Sequence, residues 1–210
     1  MLFLLLAISL ANVFSVEYYR KTDAIILCSK YGKKQLYFSK ILAGITFSVV
    51  SAVLLFIATL LSSVFVYGTN GFHAALQLIF PFSSWNISVG GSILILFFSL
   101  IAISVLYGCV IMLLSAILKS NVAVMAVPVG IMILTMMVDV PYQFRLASQV
   151  YDLLPTNLLN TTELWDDRLI CILGRYFTNF QIAPFLYLVF AVLLILVGMV
   201  IYQRHQVQAR

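Results

Sequence analysis

Charge is nearly missing from this chain: 12 Lys and Arg and 7 Asp and Glu among 210 residues, or 9%. Soluble domains carry about 25% charged residues, so a water-exposed globule is excluded for want of polar surface. Histidine is scarcer still, with His73 and His205 far apart. The three cysteines, Cys28, Cys109 and Cys171, share no metal-ligand or redox spacing. A disulfide framework and a His/Cys metal site are therefore not expected, and the cysteines read as small apolar fillers. No charged residue falls in the middle of an apolar run, which argues against proton relays and ion-coupled transport. H-E-x-x-H and E-E-x-x-x-R are absent, which argues against an intramembrane protease or a lipid-modifying transferase.

What fills the chain is apolar: 63% hydrophobic residues and a mean hydropathy of +1.11. The class is an integral membrane protein, all-α, a single polytopic helix bundle over residues 1–210 with the bilayer as its first partner. A span needs about 20 mostly apolar residues, and five runs qualify: about 1–16, 41–67, 93–118, 122–138 and 184–202. Pro184 suits the first position of the fifth helix, where a missing N–H costs nothing. Pro128 lies inside the fourth, where a kink is expected. Small residues recur every four positions at Gly44, Ser48 and Ala52, at Ser104 and Gly108, and at Ala126 and Gly130. That spacing lets helix backbones approach in lipid.

The few charges are unevenly placed. Residues 17–40, Lys119 and the tail 203–210 hold nine Lys and Arg against Glu17 and Asp23. Residues 68–91 and 139–183 hold Arg145, Arg168 and Arg175 against five acids. Positive loops stay in the cytoplasm, so the 17–40 connector and the C-terminus are expected inside a cell membrane. An inside connector after the first run puts Met1 outside, which leads us to expect a further span upstream. On the outer side, Asn160 with Glu163 three residues on reads as a helix start. Trp165, Leu169, Ile172, Leu173 and Tyr176 then share one helical face, predicting an amphipathic helix before the last span. Asn86-Ile87-Ser88 and Asn160-Thr161-Thr162 match the glycosylation acceptor pattern.

Six Lys and Arg fall between Glu17 and Lys40. At about 2.5–3.5 kcal/mol each in mid-membrane, burying them would cost roughly 15–20 kcal/mol. The connector must meet water, headgroups or a protein. Three explanations compete: an orientation signal, an anionic-lipid contact worth about 1 kcal/mol per basic residue, and a docking element. Residues 17–29 read as a short amphipathic helix with Glu17 and Lys21 as an i,i+4 pair. Gly32 breaks it, and a new helix is predicted to start at Gln35 and run into the second span. Helix, basic turn and long span form a stiff lever, which orientation alone does not require.

The stretch EYYRKTDAIILCSKYGKKQLYFSKIL, residues 17–42, resembles the cytoplasmic signature of the type-2 ABC exporter permeases, in which an acid precedes a short amphipathic helix. The pattern is then similar to L-L-L-S-[TS]-P-[VI]-[ST]-R-x-x-[IL]-x-x-[GAS]-K. Ile25, Ile26 and Leu27 match the triplet, Ser29 the small polar residue and Lys33 the basic one. Leu36, Ser39 and Lys40 match the start of the next span, and Glu17 the acid. Lys30, Gly32 and Thr22 depart from it, standing where Pro, Ser or Thr, and Gly are usual.

The resemblance implies an exporter subunit, not itself an enzyme, moving a substrate with ATP hydrolysed by a separate cytoplasmic ABC ATPase. It implies a second permease copy beside this one. Glu17, Asp23, Lys33, Lys34 and Lys40 are the implied coupling and ATPase-docking residues. The chain's only Gly-Lys pair, Gly32-Lys33, has Leu27 and Lys34 where a P-loop needs Gly and Ser or Thr, so no cofactor is expected on the chain itself. No nucleic-acid partner is expected. The alternative is a small structural or immunity-type membrane protein without transport of its own.

Overall fold

The computed structural model describes residues 1–19, 34–81, 83, 85–118, 120–138, 140–141, 143–159, 164–165, 169–172 and 174–204. It is mostly helical. In chain order the elements are α1 (Leu2–Leu10), α2 (Asn12–Tyr19), α3 (Gln35–Tyr67), α4 (Val89–Ile117), α5 (Asn121–Met137), α6 (Arg145–Asp152), α7 (Pro155–Leu158), β1 (Ile170–Ile172), β2 (Arg175–Phe177) and α8 (Asn179–Arg204).

Among the described residues three helices are long and apolar enough to cross a membrane: Gln35–Tyr67, Val89–Ile117 and Asn179–Tyr202. Leu2–Glu17 and Asn121–Met137 are apolar but shorter. At roughly 1.5 Å per residue, 17 residues rise about 26 Å, just under the hydrocarbon thickness of about 30 Å. The helix of the second span starts at Gln35, as the Gly32 break predicts, and Pro128 lies inside α5. At the far end of α3, Gly68 has φ +75° and donates its N–H to Val64 O at 2.8 Å. A left-handed glycine just past the last turn ends the helix there.

Three expectations are corrected. Pro184 does not open the last helix; it sits inside α8. The start is set upstream by Thr178-Asn179-Phe180-Gln181, where Gln181 Oε1 accepts the Thr178 N–H at 3.4 Å, half of a capping box. The helix then tolerates one missing donor in its second turn. Secondly, the helical face drawn through Leu169, Ile172 and Tyr176 does not exist. Residues 170–177 form an antiparallel hairpin pairing Ile170 with Phe177 and Ile172 with Arg175. β-Branched and aromatic residues flank Gly174, whose φ of +78° fits a tight turn. Asn160, Glu163 and Leu173 lie outside the described residues. Thirdly, Ala126 and Gly130 do not make a packing face: Ala126 is exposed and nothing approaches Gly130. Val124 and Pro128, also four apart, are the buried pair of α5. The apolar run at the N-terminus forms the helical stretch Leu2–Glu17, in which α1 and α2 meet at Ala11.

The chain divides into two units. The first holds Met1–Ala52, Ser104–Ile131 and Leu188–Arg210. Its packing follows the small residues of α3 and α4. Gly44, Ser48 and Ala52 are all buried, and a Cβ on Gly108 would strike Ser48 Oγ, while one on Gly44 would strike Met112 Sδ. Cys109 is buried beside them as filler.

The second unit holds Val53–Ile103 and Met132–Tyr187. Residues 68–88 fold back on themselves through short 3-10 turns at Asn70–His73 and Leu76–Leu78. Leu76 N–H donates to Ile87 O and Val89 N–H to Ala74 O, each at 2.9 Å, closing the segment's base. Trp85 and Trp165 both pack on Phe180, with centroids 5.1 and 5.6 Å away. Tyr187 donates its hydroxyl to Leu153 O at 2.6 Å, which fixes α8 to the end of α6.

Candidate functional site at the root of the basic connector

Both flanks of the 17–40 connector are described, and they meet inside the first unit. Lys40 is in the second turn of α3 and Glu17 near the end of α2. The Lys40 ammonium forms a salt bridge with Glu17 Oε1, with side chains only 19% and 14% exposed. The same Nζ donates to Val13 O at 2.8 Å and lies 4.8 Å from the centroid of the Phe14 ring. A half-buried ammonium thus has a carboxylate, a carbonyl and a ring face around it. Each lowers the cost of removing the charge from water.

Beneath the ion pair is an aromatic triangle. Phe14, Tyr37 and Tyr202 are all buried, with centroids 5.5 to 5.8 Å apart. The Tyr37 hydroxyl donates to Ile195 O at 2.8 Å and occupies the space left open by Gly198. One side chain from each of α2, α3 and α8 is therefore locked in a cluster whose pairs contribute about 0.5–1.5 kcal/mol each.

A third layer explains the interruption at Ala11. Ser115 of α4 points its Oγ into the junction of α1 and α2, accepting the N–H groups of Phe14 and Ser15 at 3.1 Å. It donates to Ala11 O at 2.7 Å. One proton and two lone pairs are all a hydroxyl has, so Ser115 is fully used. Ser15 Oγ also bonds Ala11 O, at 2.6 Å, and the Asn121 side chain. A side chain inserted into the hydrogen-bond ladder is a recognised cause of a helix break. Here it sets the direction in which α2 carries Glu17.

Of the residues singled out in the sequence, Glu17 and Lys40 are thus brought together and partner each other. Lys34 is exposed just ahead of α3. Asp23 and Lys33 lie outside the described residues, as do most of the 17–29 helix and the Gly32 turn. Lys21, the expected i,i+4 partner of Glu17, also lies outside the described residues. Ser15, Ser115, Asn121, Tyr37 and Tyr202 were not found from the sequence. Their one signal was polar or aromatic character near the ends of apolar runs. Among the described residues no group of three or more His, Cys, Asp or Glu could hold a metal ion. No protein-family model, curated protein or solved structure matches this chain.

Proposed function

We propose that this chain is the transmembrane subunit of an ABC exporter, with five membrane-crossing segments and a cytoplasmic 17–40 connector that a separate ATPase subunit grips. The two shorter apolar helices serve as the first and fourth crossings, reaching the full thickness with a locally thinned bilayer. The signature-like stretch at residues 17–42 supports this reading, as does the basic bias of that side. The observation that carries it is the Glu17–Lys40 salt bridge. A docking element transmits force only if it is tied to the helices that must move. This ion pair ties the start of the connector to the base of a 33-residue helix. In this reading Glu17 and Lys40 hold the root of the lever. Asp23, Lys33 and Lys34 supply polar contacts to the ATPase. A second permease copy completes the substrate path, and coupling runs through a continuous physical element.

The test is co-purification of the tagged full-length chain from its native membranes with an ATPase carrying GxxxxGK[ST]. Reversing Lys33 and Lys34 to Glu together is expected to reduce the recovered ATPase at least tenfold while leaving the permease in the membrane. Absence of any nucleotide-hydrolysing companion, or indifference to the reversal, overturns the reading. So does labelling of a Lys34→Cys variant by a membrane-impermeant thiol reagent from the outer side.

A further inference from the structure

The second unit contains an apolar cleft of about 440 Å³, between the last turns of α3, the folded-back segment and the first turns of α4. Phe56, Leu60, Val64, Phe72, Ile79 and Ile93 form most of its wall. Its volume falls within the roughly 300–1,000 Å³ of ordinary ligand sites. The hydroxyls on its α3 wall are already engaged: Thr59 donates to Leu55 O and Phe56 O, and Ser63 to Thr59 O. Their protons are spent within the helix, which leaves the Tyr67 hydroxyl at the rim as that wall's one side-chain donor.

The cleft is also built rather than incidental. Phe56 is braced by Phe97 at 5.0 Å. The opposite wall is held by the two hydrogen bonds that close the base of segment 68–88 and by Leu76, which is 1% exposed. Thr59, Ser63 and Tyr67 of its α3 wall are exposed, so the cleft opens alongside that helix. A helix of 33 residues rises about 50 Å, more than the hydrocarbon core of about 30 Å. Its terminal turns therefore reach the headgroup zone, where Tyr67 sits at the cleft's rim as an interfacial aromatic.

We propose that this cleft holds one acyl chain of a bilayer phospholipid, entering alongside α3. Chain methylenes match the apolar lining and the span-length apolar helix beside it, and a polar or charged occupant would lose its hydration for nothing. The site requires only that α3 lie in a bilayer, and it stands whether or not the exporter reading does.

The experiment places the full chain in dioleoylphosphatidylcholine vesicles containing a trace of phosphatidylcholine with a diazirine on one acyl chain. After photolysis, adducts are mapped by mass spectrometry. Labelling of Phe72, Ile79 and Ile93 is expected to exceed that of Leu42 and Val50, which are exposed on the first half of α3, at least fivefold. Gly71 has an ordinary φ and no atom within 4 Å of an added Cβ, so Gly71→Leu fills the cleft without a clash. That variant is expected to cut cleft labelling at least fivefold and leave Leu42 and Val50 unchanged. Ser63→Leu fills it from the other wall and guards against a folding defect in the first variant. Equal labelling of cleft and open face, showing ordinary surrounding lipid only, overturns the proposal. So does a cleft labelled less than the open face, as when a second copy covers it, or labelling unmoved by both variants.

Discussion

The two units of this chain solve the same problem, holding apolar helices together in an apolar solvent, by different means. The first uses small residues and polar stitches: Gly44 against Met112, Gly108 against Ser48, Ser115 saturated at the α1–α2 junction, Lys40 on Glu17. The second uses aromatic contacts and a folded-back segment, and leaves a cleft open. The difference follows from what lipid takes away. Hydrophobic burial gives little reason for one helix to prefer another over acyl chains, so close backbone approach and internal hydrogen bonds carry the specificity. Where those are dense, the first unit is expected to be rigid; where they thin out, a lipid tail can substitute for a side chain.

Substitutions at matched positions sharpen the contrast. The largest effect is expected from Lys40→Ala, which strands Glu17 and leaves Val13 O without its ammonium. Removing one partner of a half-buried pair costs about 3 kcal/mol, read as a lowered unfolding midpoint in detergent micelles. Gly108→Leu forces a side chain into Ser48 and is expected to cost about 2 kcal/mol or more, the overpacking penalty. Its counterpart in the second unit, Gly71→Leu, enters open space and is expected to change stability by less than about 0.5 kcal/mol. Equal losses from the two would erase the distinction.

Ser115→Ala leaves the Phe14 and Ser15 N–H groups unpaired where water is excluded, at about 1–3 kcal/mol, while Ala11 O keeps the Ser15 hydroxyl. It is also expected to speed amide exchange at Phe14 and Ser15. Of the two hydrogen-bond deletions the smaller effect belongs to Tyr187→Phe, which loses a single hydrogen bond to Leu153 O, about 1 kcal/mol. If that loss exceeds the one at Ser115, the polar stitching does not favour the first unit.

The long helices were legible because apolar runs near 20 residues have few other uses, and the start of α3 because Gly32 stands just ahead of Gln35. The hairpin at 170–177 was not. Leu169, Ile172 and Tyr176 fit a period of 3.6 by accident over too few residues to arbitrate, while Gly174 between two β-formers carried the true signal. Ala126 and Gly130 show that spacing locates a face without saying whether anything packs on it. At the candidate site, Glu17 and Lys40 stood out singly as charges beside apolar runs. Their pairing was invisible, because 22 intervening residues carry no periodic relation between them. Ser115 is harder still, since its partners lie 100 residues away in sequence.

Pinning residue 17 to residue 40 closes a ring of chain. For a segment of 22 residues the entropy of bringing the ends together is about 2.7 kcal/mol, taken as three-halves RT times the logarithm of its length. The ion pair and its neighbours offset that term before any visitor arrives. A protein that recognised the segment would therefore meet ends already held together, with fewer arrangements left to lose. Dissolving one salt bridge would return those arrangements and weaken capture without altering a single residue at the point of contact.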